Sequence, residues 1–484
     1  MIDRDLAHIF QNAFPNTLDT TVLWHVDGET SHAGPPKYLR YRDNAEWKGA
    51  QSFIVTGDIN AEWLRDSTNQ LAQYQLLAKT APDISNLIKG AIATQAEFVI
   101  QNPYCNAFQP PNPSGLGPSN NGQQDVVHPQ YEPSDVFECK YELDSLANFL
   151  SLGNQYHAAT GSTKFLTNRW FLALRTIIAV LQAQSQPTFD TDHKFHLNEY
   201  LFSRQTMAGT ETLNLGGLGN PLGSGTGLIR SAFRPSDDAT IFPFLVPSNA
   251  MMSVELNRTA SLLRIFATTT TDKSQSDIDN LHAYIKLLDS YSTSIRTGIL
   301  THAVVTHPTF GRVLAYETDG YNSHLLMDDA NVPSLLSLPL LGFLDKSDPL
   351  YQNTRAMVLS AQGNPYFLSG PAFTGIGGPH IGLSNAWPMS VLIQAMTSDD
   401  DAEILSCLER VKNVSVFGLI NESVDVRIGV DRRSAQGMTR PWFAWANSVF
   451  AQCVLWLAAE RPHLVFEGAE SAEKYVVGEG FVPV

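Results

Sequence analysis

Apolar residues recur at helical spacing in five long segments, and this periodicity is the feature that most restricts the fold. The segments are residues 84–99, 143–156, 165–181, 278–295 and 443–459. Three intervening stretches, 102–135, 209–227 and 363–385, are rich in Gly, Pro, Asn and Asp and are not helical throughout. Because no linker or strong repeat divides the chain, we predict one all-α domain over residues 1–484 with elaborated loops.

Charge and hydropathy exclude several classes of partner. The formal net charge is −16 and no Lys or Arg run forms a basic stripe, so neither nucleic acid nor an anionic membrane is expected. No apolar run reaches the roughly 18 residues that span a bilayer. The N-terminal stretch MIDRDLAHIFQNAF lacks the basic and apolar regions of a signal peptide. We therefore expect an intracellular protein, or a secreted one if a leader is missing upstream, and the oligomeric state stays open.

The cysteines and acidic residues give no sign of a bound metal. Cys105, Cys139, Cys407 and Cys453 show no CxxC spacing, so a zinc cluster is not indicated. A Cys105–Cys139 bridge requires an oxidising compartment, and buried free thiols are the preferred expectation. The stretch MDDAN is the nearest approach to a calcium loop, and no EF-hand-like pattern is present. We expect neither a metal nor another cofactor.

Carboxylates, arginines and tryptophans concentrate in the loops. The stretch RPSDDAT, residues 234–240, places Asp237 beside Asp238. Ser-Asp-Asp can begin a helix, but Pro243 and Pro247 follow closely, so an irregular segment is expected. Further polar clusters occupy residues 56–71, 316–339, 364–382, 419–426 and 439–448. Acids accept hydrogen bonds from vicinal hydroxyls and indole faces cover sugar C–H groups, so the pattern favours a sugar ligand.

Six stretches resemble, in this order, the signature blocks of glycoside hydrolase family 125, the exo-acting α-1,6-mannosidases. They are TGDINAEWLRDSTNQL, KYELDSLANFL, GLIRSAFRPSDDATIFPFLVPSN, YETDGYNSHLLMDDANVPSLLSLP, NPYFLSGPAFTGIGGPH and TRPWFAWANS. The resemblance implies an (α/α)6 barrel and a glycosidase that hydrolyses terminal, non-reducing α-1,6-linked mannose with inversion and without a metal. It also implies that mannose-containing oligosaccharides, N-glycans or mannan are the partners.

The same resemblance implies an aspartate general acid in RPSDDAT and Glu422 as the general base. Successive side chains point in different directions, so one of Asp237 and Asp238 is the proton donor and the other a structural or sugar-binding partner. Asp237 is preferred as the acid, and its pKa is expected to be raised by burial or by neighbouring carboxylates. Family members often read HES where this chain reads Asn421-Glu422-Ser423. The sequon at Asn421 is predicted to be unmodified, because a glycan there would lie beside the base.

Further residues are assigned to the sugar pocket by their positions in these blocks. The predicted sugar contacts are Asp58, Trp63, Arg65, Asp66, Asp328, Asp329, His380, Arg440 and Trp442. Structural alternatives exist for several of them. Asp58 and Asp66 suit helix capping beside Trp63, and His380 suits a satisfied loop histidine. Asp328, Asp329 and Asn331 either line the pocket or cap a helix over residues 333–343.

Two other functions fit the sequence. Fold and paired carboxylates are shared among unrelated specificities, so an (α/α)6 glycosidase for another terminal sugar, such as α-glucose, is the first alternative. The second is a non-catalytic mannan-binding protein. Retention of the Asp237–Asp238 pair together with Glu422 argues against a binder, which needs no proton donor opposite a base.

Overall fold

The computed structural model describes residues 1–28, 47–269 and 275–466, and the side chains of 275–277 are not described. Within these ranges the chain is built from α-helices joined by long loops. The helices are α1 (Arg4–Ala13), α2 (Asn16–Thr20), α3 (Leu64–Ala72), α4 (Pro82–Gln101), α5 (Leu143–Thr160), α6 (Asn168–Gln184), α7 (Asn214–Gly217), α8 (Val246–Thr269), α9 (Gln275–His302), α10 (Leu338–Leu341), α11 (Pro349–Val358), α12 (Pro388–Met396), α13 (Asp401–Val414) and α14 (Ala444–Glu460).

Short antiparallel strands connect the loops. They are β1 (Val22–Val26), β2 (Gln51–Ile54), β3 (Glu62–Trp63), β4 (Ala107–Phe108), β5 (Asp125–His128), β6 (Val136–Glu138), β7 (Leu201–Arg204), β8 (Phe244–Leu245), β9 (Val304–His307), β10 (Gly311–Leu314), β11 (Glu317–Thr318), β12 (His324–Leu325), β13 (Phe367–Ser369), β14 (Thr374–Ile376), β15 (Asn385–Ala386) and β16 (Val424–Asp425). The described strands form sheets of two or three strands, such as β3–β4–β6. These small sheets hold the ends of loops together, and they do not form a sheet layer of their own beside the helices.

Local sequence sets where several helices begin and end. Thr167 caps α6 by accepting a hydrogen bond from the Trp170 N–H, and Asp400 caps α13 by accepting one from the Ala402 N–H. Such caps satisfy backbone donors that lack a partner in the first turn. At the other end of α5, Gly161 adopts a left-handed φ of 70°, which glycine accepts without strain.

Some helices are buried on most faces and others on one face. Helices α3, α5, α8, α12 and α14 belong to the first group, and they contact one another in the order α12, α14, α3, α5, α8, with α10 also against α8. Helices α1, α4, α6, α9 and α13 pack outside them and expose a polar face. One hydrophobic core cluster includes residues from Leu6 to Val465, so the described helices share a common interior.

The five helices predicted from periodicity are confirmed by α4, α5, α6, α9 and α14, with bounds shifted by a few residues. The predicted helix over 333–343 is wrong in extent, because only Leu338–Leu341 is helical there. The irregular segment after Asp238 is confirmed, yet Pro247 does not interrupt a helix. It lies in the first turn of α8, where the missing N–H has no partner to lose.

The single domain over 1–484 stays a prediction, since residues 29–46, 270–274 and 467–484 lie outside the described ranges. Among the helices described, none combines the length and apolarity needed to cross a membrane.

Candidate active site

A cavity of about 270 Å³ lies where the N-terminal ends of α3, α12 and α14 meet the loops. It is smaller than the roughly 300–1,000 Å³ pockets that hold drug-sized ligands, so it suits a ligand of about one sugar ring. Its walls are Thr56, Ile59, Trp63, Arg65, Asp66, Asn121, Gln123, Phe137, Glu138, Lys140, Arg204, Glu211, Pro235, Ser236, Asp237, Asn331, His380, Trp387, Glu422, Arg440, Phe443 and Trp445.

The RPSDD stretch forms a tight turn that separates its two aspartates. The N–H of Asp237 donates to the carbonyl of Arg234 at 2.9 Å, and the N–H of Arg234 donates to the carbonyl of Asp238 at 2.8 Å. A buried ion pair between Arg234 and Glu317, 2.7 Å long, fixes the start of the turn. Asp237 adopts a left-handed φ of 65°, uncommon for a residue with a side chain. This conformation directs the carboxylate of Asp237 to the cavity.

Asp237 is held by three donors, one from Asn106 and two from the stretch that carries Trp63 and Arg65. Its Oδ1 accepts from Asn106 Nδ2 at 2.8 Å and from Trp63 Nε1 at 3.3 Å, and its Oδ2 lies 3.7 Å from Arg65 Nη2. Although burial raises the pKa of Asp237, the charges of Arg65 and Lys140 outweigh burial and lower it below the ordinary value. The expectation of a raised pKa is therefore wrong for the free protein, because cations face this carboxyl more closely than the sequence indicated.

Asp238 turns away from the cavity. It is buried, it accepts from Ser236 Oγ at 3.3 Å, and its Oδ1 lies 3.7 Å from Nδ1 of His380. Burial lowers the pKa of His380, but the hydrogen bond and charge of Asp238 raise it to about 9. His380 is thus a cation at neutral pH and forms part of the cavity wall. Asp238 supports it from behind.

Glu422 lies in the cavity wall between two partners. Its Oε2 accepts from Thr439 Oγ1 at 2.6 Å, and its Oε1 pairs with Arg440 Nη1. Asp58 holds the same guanidinium through Nε at 3.1 Å, and it is exposed, outside the cavity wall. Asp58 therefore contacts the site through Arg440.

The neighbouring Asn421 has a fully buried side chain. Its Nδ2 faces the carbonyls of Arg440 and Pro441 at 3.3 and 3.2 Å. An attached glycan would displace these contacts from the interior, which supports the prediction that the sequon is unmodified.

The first turn of α3 brings Arg65 and Asp66 into the wall. Arg65 Nη1 donates to Glu142 Oε2 at 2.7 Å, and its Nε lies 3.2 Å from Asp66 Oδ2. Burial is the main cause that raises the pKa of Asp66 to about 6, although Arg65 lowers it. Trp63 caps no backbone group with its side chain and instead lines the cavity. These contacts favour the pocket interpretation of Asp66 over helix capping.

Besides Asp58, three further predicted sugar contacts lie outside the cavity wall. Asp328 accepts from the N–H groups of Leu335 and Leu336 at 2.8 and 2.9 Å, so its contacts are structural. Asp329 accepts from Ser236 Oγ at 2.7 Å and from Asn331, which itself lines the cavity.

The third is Trp442, whose ring packs against Gly57. A Cβ at Gly57 would come within 2.9 Å of this ring, so glycine permits the close approach. Trp442 thus supports the loop that carries Asp58.

Several buried polar atoms in the wall have no hydrogen-bond partner within the protein. They are Nε1 of Trp387, Nε1 of Trp445 and Oγ1 of Thr56. Buried polar groups are normally paired, and unpaired ones indicate where a ligand or water belongs. Together with the carboxylates of the wall, these three residues make a polar cavity that suits a ligand rich in hydroxyl groups.

Sequence reasoning missed some of the residues that shape the site. Asn106, Lys140, Glu142, Thr56 and Trp387 were not assigned a role, although Lys140 and Glu142 lie in the stretch KYELDSL. Two charges directly before a strongly apolar helix are a usable signal, since charged residues are rarely buried unless they are paired. Trp387 gave no signal, because only tertiary packing brings its N–H to the cavity.

Cys105 and Cys139 form a disulfide, so the preference for free thiols is wrong for this pair. Strands β4 and β6 pair with Ala107 opposite Glu138, which brings the two cysteines together. Cys407 and Cys453 are free and buried, as expected.

Two larger cavities lie elsewhere in the described chain. One, of about 720 Å³, lies beside β5, and the other, of about 570 Å³, lies among α5, α8 and α14. Neither has a buried unpartnered polar atom in its wall. Within the described ranges, no three His, Cys, Asp or Glu side chains cluster to hold a metal ion.

A small polar cavity whose wall holds carboxylates and tryptophans fits a glycoside hydrolase, which uses a pair of Asp or Glu side chains. Comparison with known proteins then specifies the family. The model of the metal-independent α-mannosidases, glycoside hydrolase family 125, matches residues 3–455. The chain belongs to this family, as its sequence blocks indicated, and is an α-mannosidase.

Two relatives illustrate the similarity. The meiotically up-regulated gene 157 protein of Schizosaccharomyces pombe is 50% identical over 469 residues, which cover 96% of this chain and 85% of that protein. A metal-independent α-mannosidase of Streptococcus pneumoniae, solved in a non-productive complex with α-1,6-mannobiose, is 30% identical. The aligned region covers 94% of this chain and 94% of that one, and the TM-score is 0.77.

Proposed function

We propose that this protein is an exo-acting α-1,6-mannosidase that works with inversion, with Asp237 as general acid and Glu422 as general base. The observation that carries the proposal is one cavity, of about 270 Å³, whose wall contains both carboxyls. An inverting glycosidase uses two such groups, one to protonate the leaving oxygen and one to activate water. The proposal extends to the fold, since alternating buried and outer helices are the arrangement of an (α/α)6 barrel.

The chemistry follows from these roles. Asp237 gives a proton to the glycosidic oxygen as the bond from that oxygen to C1 breaks. Glu422 takes a proton from a water whose oxygen bonds to C1 on the opposite face of the ring. The products are β-mannose and the freed hydroxyl of the aglycone. Arg440 and Thr439 orient Glu422 through its two oxygens, which leaves the carboxylate able to accept a proton.

Substrate preference is proposed from the cavity and from the pneumococcal relative. A volume suited to about one sugar ring favours removal of terminal residues one at a time. Trp387, Trp445 and Thr56, which have polar atoms without a partner in the protein, are proposed to bond the hydroxyls of that sugar, together with Asp66. The α-1,6 linkage is taken from the relative's complex with α-1,6-mannobiose, and N-linked glycans are the proposed larger substrates.

Proton NMR of α-1,6-mannobiose incubated with the protein, with and without EDTA, tests the proposal. We expect β-mannose to appear first at an equal rate in both samples. Initial α-mannose refutes inversion, and loss of activity with EDTA refutes the metal-free reaction. A matched panel tests the two specificities separately: α-1,2-mannobiose and α-1,3-mannobiose test specificity for the linkage, and isomaltose tests specificity for the sugar. Turnover of isomaltose alone assigns the protein to terminal glucose, and binding of mannobiose without turnover assigns it to a mannan-binding function.

A further inference from the structure

The carboxyl of Asp237 is joined to a second carboxyl, that of Glu142, behind the cavity wall. Asn106 Nδ2 bridges them, since it donates to Glu142 Oε1 at 3.1 Å and to Asp237 Oδ1 at 2.8 Å. Arg65 bridges their other oxygens, at 2.7 Å from Glu142 and 3.7 Å from Asp237. The side chain of Glu142 is 0% exposed, whereas that of Asp237 is 20% exposed. Only Asp237 therefore reaches the cavity.

Two carboxyls this close do not both ionise easily, because each anion raises the pKa of the other. Burial raises the pKa of Glu142 well above its ordinary value, and Asp237 adds to this. For Asp237, burial is outweighed by Arg65 and Lys140, which lower the pKa. The charged groups that face the pair are Arg65 and Asp66 of α3, Lys140 in the segment before α5, Asp144 of α5, and His380. Within the pair, a proton is therefore favoured on Glu142 over Asp237.

This arrangement poses a problem for a general acid, which must hold a proton when the glycosidic oxygen arrives. Ligand-free Asp237 is stabilised as a carboxylate, because Arg65 and Lys140 favour its charged form. A sugar in the cavity removes the remaining water from Asp237 and raises its proton affinity, since desolvation disfavours the charged form. Glu142 shares the donors Asn106 and Arg65 with Asp237, and burial raises its pKa, so it is the neighbouring carboxyl best suited to hold a proton.

We propose that Glu142 stores the proton that Asp237 delivers to the glycosidic oxygen; this inference rests on the proposed function. When substrate fills the cavity, the proton passes from the Glu142 carboxyl to Asp237. Asp237 then gives a proton to the leaving oxygen as the C1–O bond breaks. After the reaction Glu142 is a carboxylate and Glu422 carries the proton taken from water. Return of that proton through solvent restores the starting state. Glu142 acts through Asp237 and is a positioning residue for the proton.

The test compares two substrates that differ in their need for a proton. The sugar leaving group of α-1,6-mannobiose must be protonated, whereas the fluoride of α-mannosyl fluoride departs without a proton. Glu142→Gln keeps the shape of the side chain and removes its acidic proton. We expect kcat/KM for mannobiose to fall by about 100-fold or more, and kcat/KM for the fluoride only a few-fold. The alkaline limb of the pH profile moves to lower pH, and Glu142→Asp recovers part of the loss.

Glu255→Gln is the matched control. Glu255 is another buried carboxyl whose pKa is raised by burial, and it pairs with Asn154 at 2.8 Å and Arg258 at 2.6 Å, away from the active-site cavity. We expect the ratio of mannobiose activity to fluoride activity in Glu255→Gln to equal the ratio in wild type. If Glu142→Gln loses equal activity on both substrates, so that the ratio of the two activities is unchanged, the inference is overturned.

A measurement without turnover separates this inference from the proposed function. At pH 7 the infrared carbonyl band of protonated carboxyls should be smaller in Glu142→Gln than in wild type. If wild type cleaves neither substrate, the proposed function fails, and the infrared band alone decides where the proton lies. If the band in Glu142→Gln is as large as in wild type, the inference that Glu142 stores the proton is overturned. If Glu142→Gln does not fold, Asn106→Ser breaks the bridge between the carboxyls and should shift the alkaline limb in the same direction.

Discussion

The unpartnered indole of Trp387 gives a sharp prediction about substrate binding. Trp387 is 3% exposed, lies at the N-terminal end of α12 and packs edge-to-face on Phe443 with ring centroids 6.0 Å apart. Its Nε1 has no hydrogen-bond partner in the protein. Trp387→Phe keeps an aromatic ring over Phe443 and removes only the N–H and part of the ring. The folded protein loses no hydrogen bond.

The size of the effect follows from the unpaired donor. A buried donor without a partner costs about 1–3 kcal/mol, and a sugar hydroxyl removes this cost when it binds. Without the N–H, the hydroxyl is itself left unpaired in the cavity. We therefore expect kcat/KM for α-1,6-mannobiose to fall by about 5-fold to 150-fold.

The core supplies a matched control in Trp170, which is 1% exposed and also has an unpartnered Nε1. It packs among Phe149, Phe165 and Phe171, far from the cavity wall. Trp170→Phe removes the same atoms. Urea denaturation should show similar losses of stability for the two variants, while only Trp387→Phe loses kcat/KM. Equal kcat/KM in the two variants would refute the assignment of the unpaired N–H to substrate.

Three further predictions concern the base, the disulfide and a buried acid. Glu422→Gln should lower kcat by about 10²–10⁴ on both α-1,6-mannobiose and α-mannosyl fluoride, because water must be activated whatever leaves; retained fluoride turnover would contradict this. Reduction of the Cys105–Cys139 bridge, with a sequence separation of 34, should lower the free energy of unfolding by about 3–4 kcal/mol, measured by urea denaturation with and without dithiothreitol. Burial raises the pKa of Glu62 to about 8 from 4.5, so the folded state keeps a proton that the unfolded chain releases, and stability falls as pH rises between these values. Glu62→Gln should therefore raise the urea midpoint at pH 8 and leave it nearly unchanged at pH 5, and an unchanged midpoint at pH 8 would argue that Glu62 is already ionised.

Three of the five helices that the sequence revealed have one polar face; the other two, α5 and α14, are buried on most faces. Helices α4, α6 and α9 expose a polar side and bury an apolar one, so their periodicity was readable. Helices α8 and α12 were not predicted. Nearly every residue of α12 is buried, from Pro388 to Met396, and a helix without a polar face gives no such pattern. Predicting these two helices requires knowledge of the tertiary packing around them.

The residues of the site also divide into those that the sequence assigned correctly and those that it did not. Residue type and family resemblance led to Asp237, Glu422, Arg65 and His380, all of which line the cavity. Asp328 has the same residue type, yet its carboxylate binds the backbone of α10's preceding turn. No sequence pattern reports which donors lie near a carboxylate after folding. Whether Asp237 or Asp238 faces the cavity depends on one backbone angle in a five-residue turn.

That left-handed backbone at Asp237 also determines which replacement the site tolerates. Asparagine is among the few side chains that adopt this conformation readily, and its carbonyl can still accept from Asn106 and Trp63. Asp237→Asn thus preserves the walls of the cavity while it removes the group proposed to cleave the sugar. If Asp237 is the acid as proposed, this single exchange would turn the α-mannosidase into a lectin, able to capture its substrates from a mixture and release them intact.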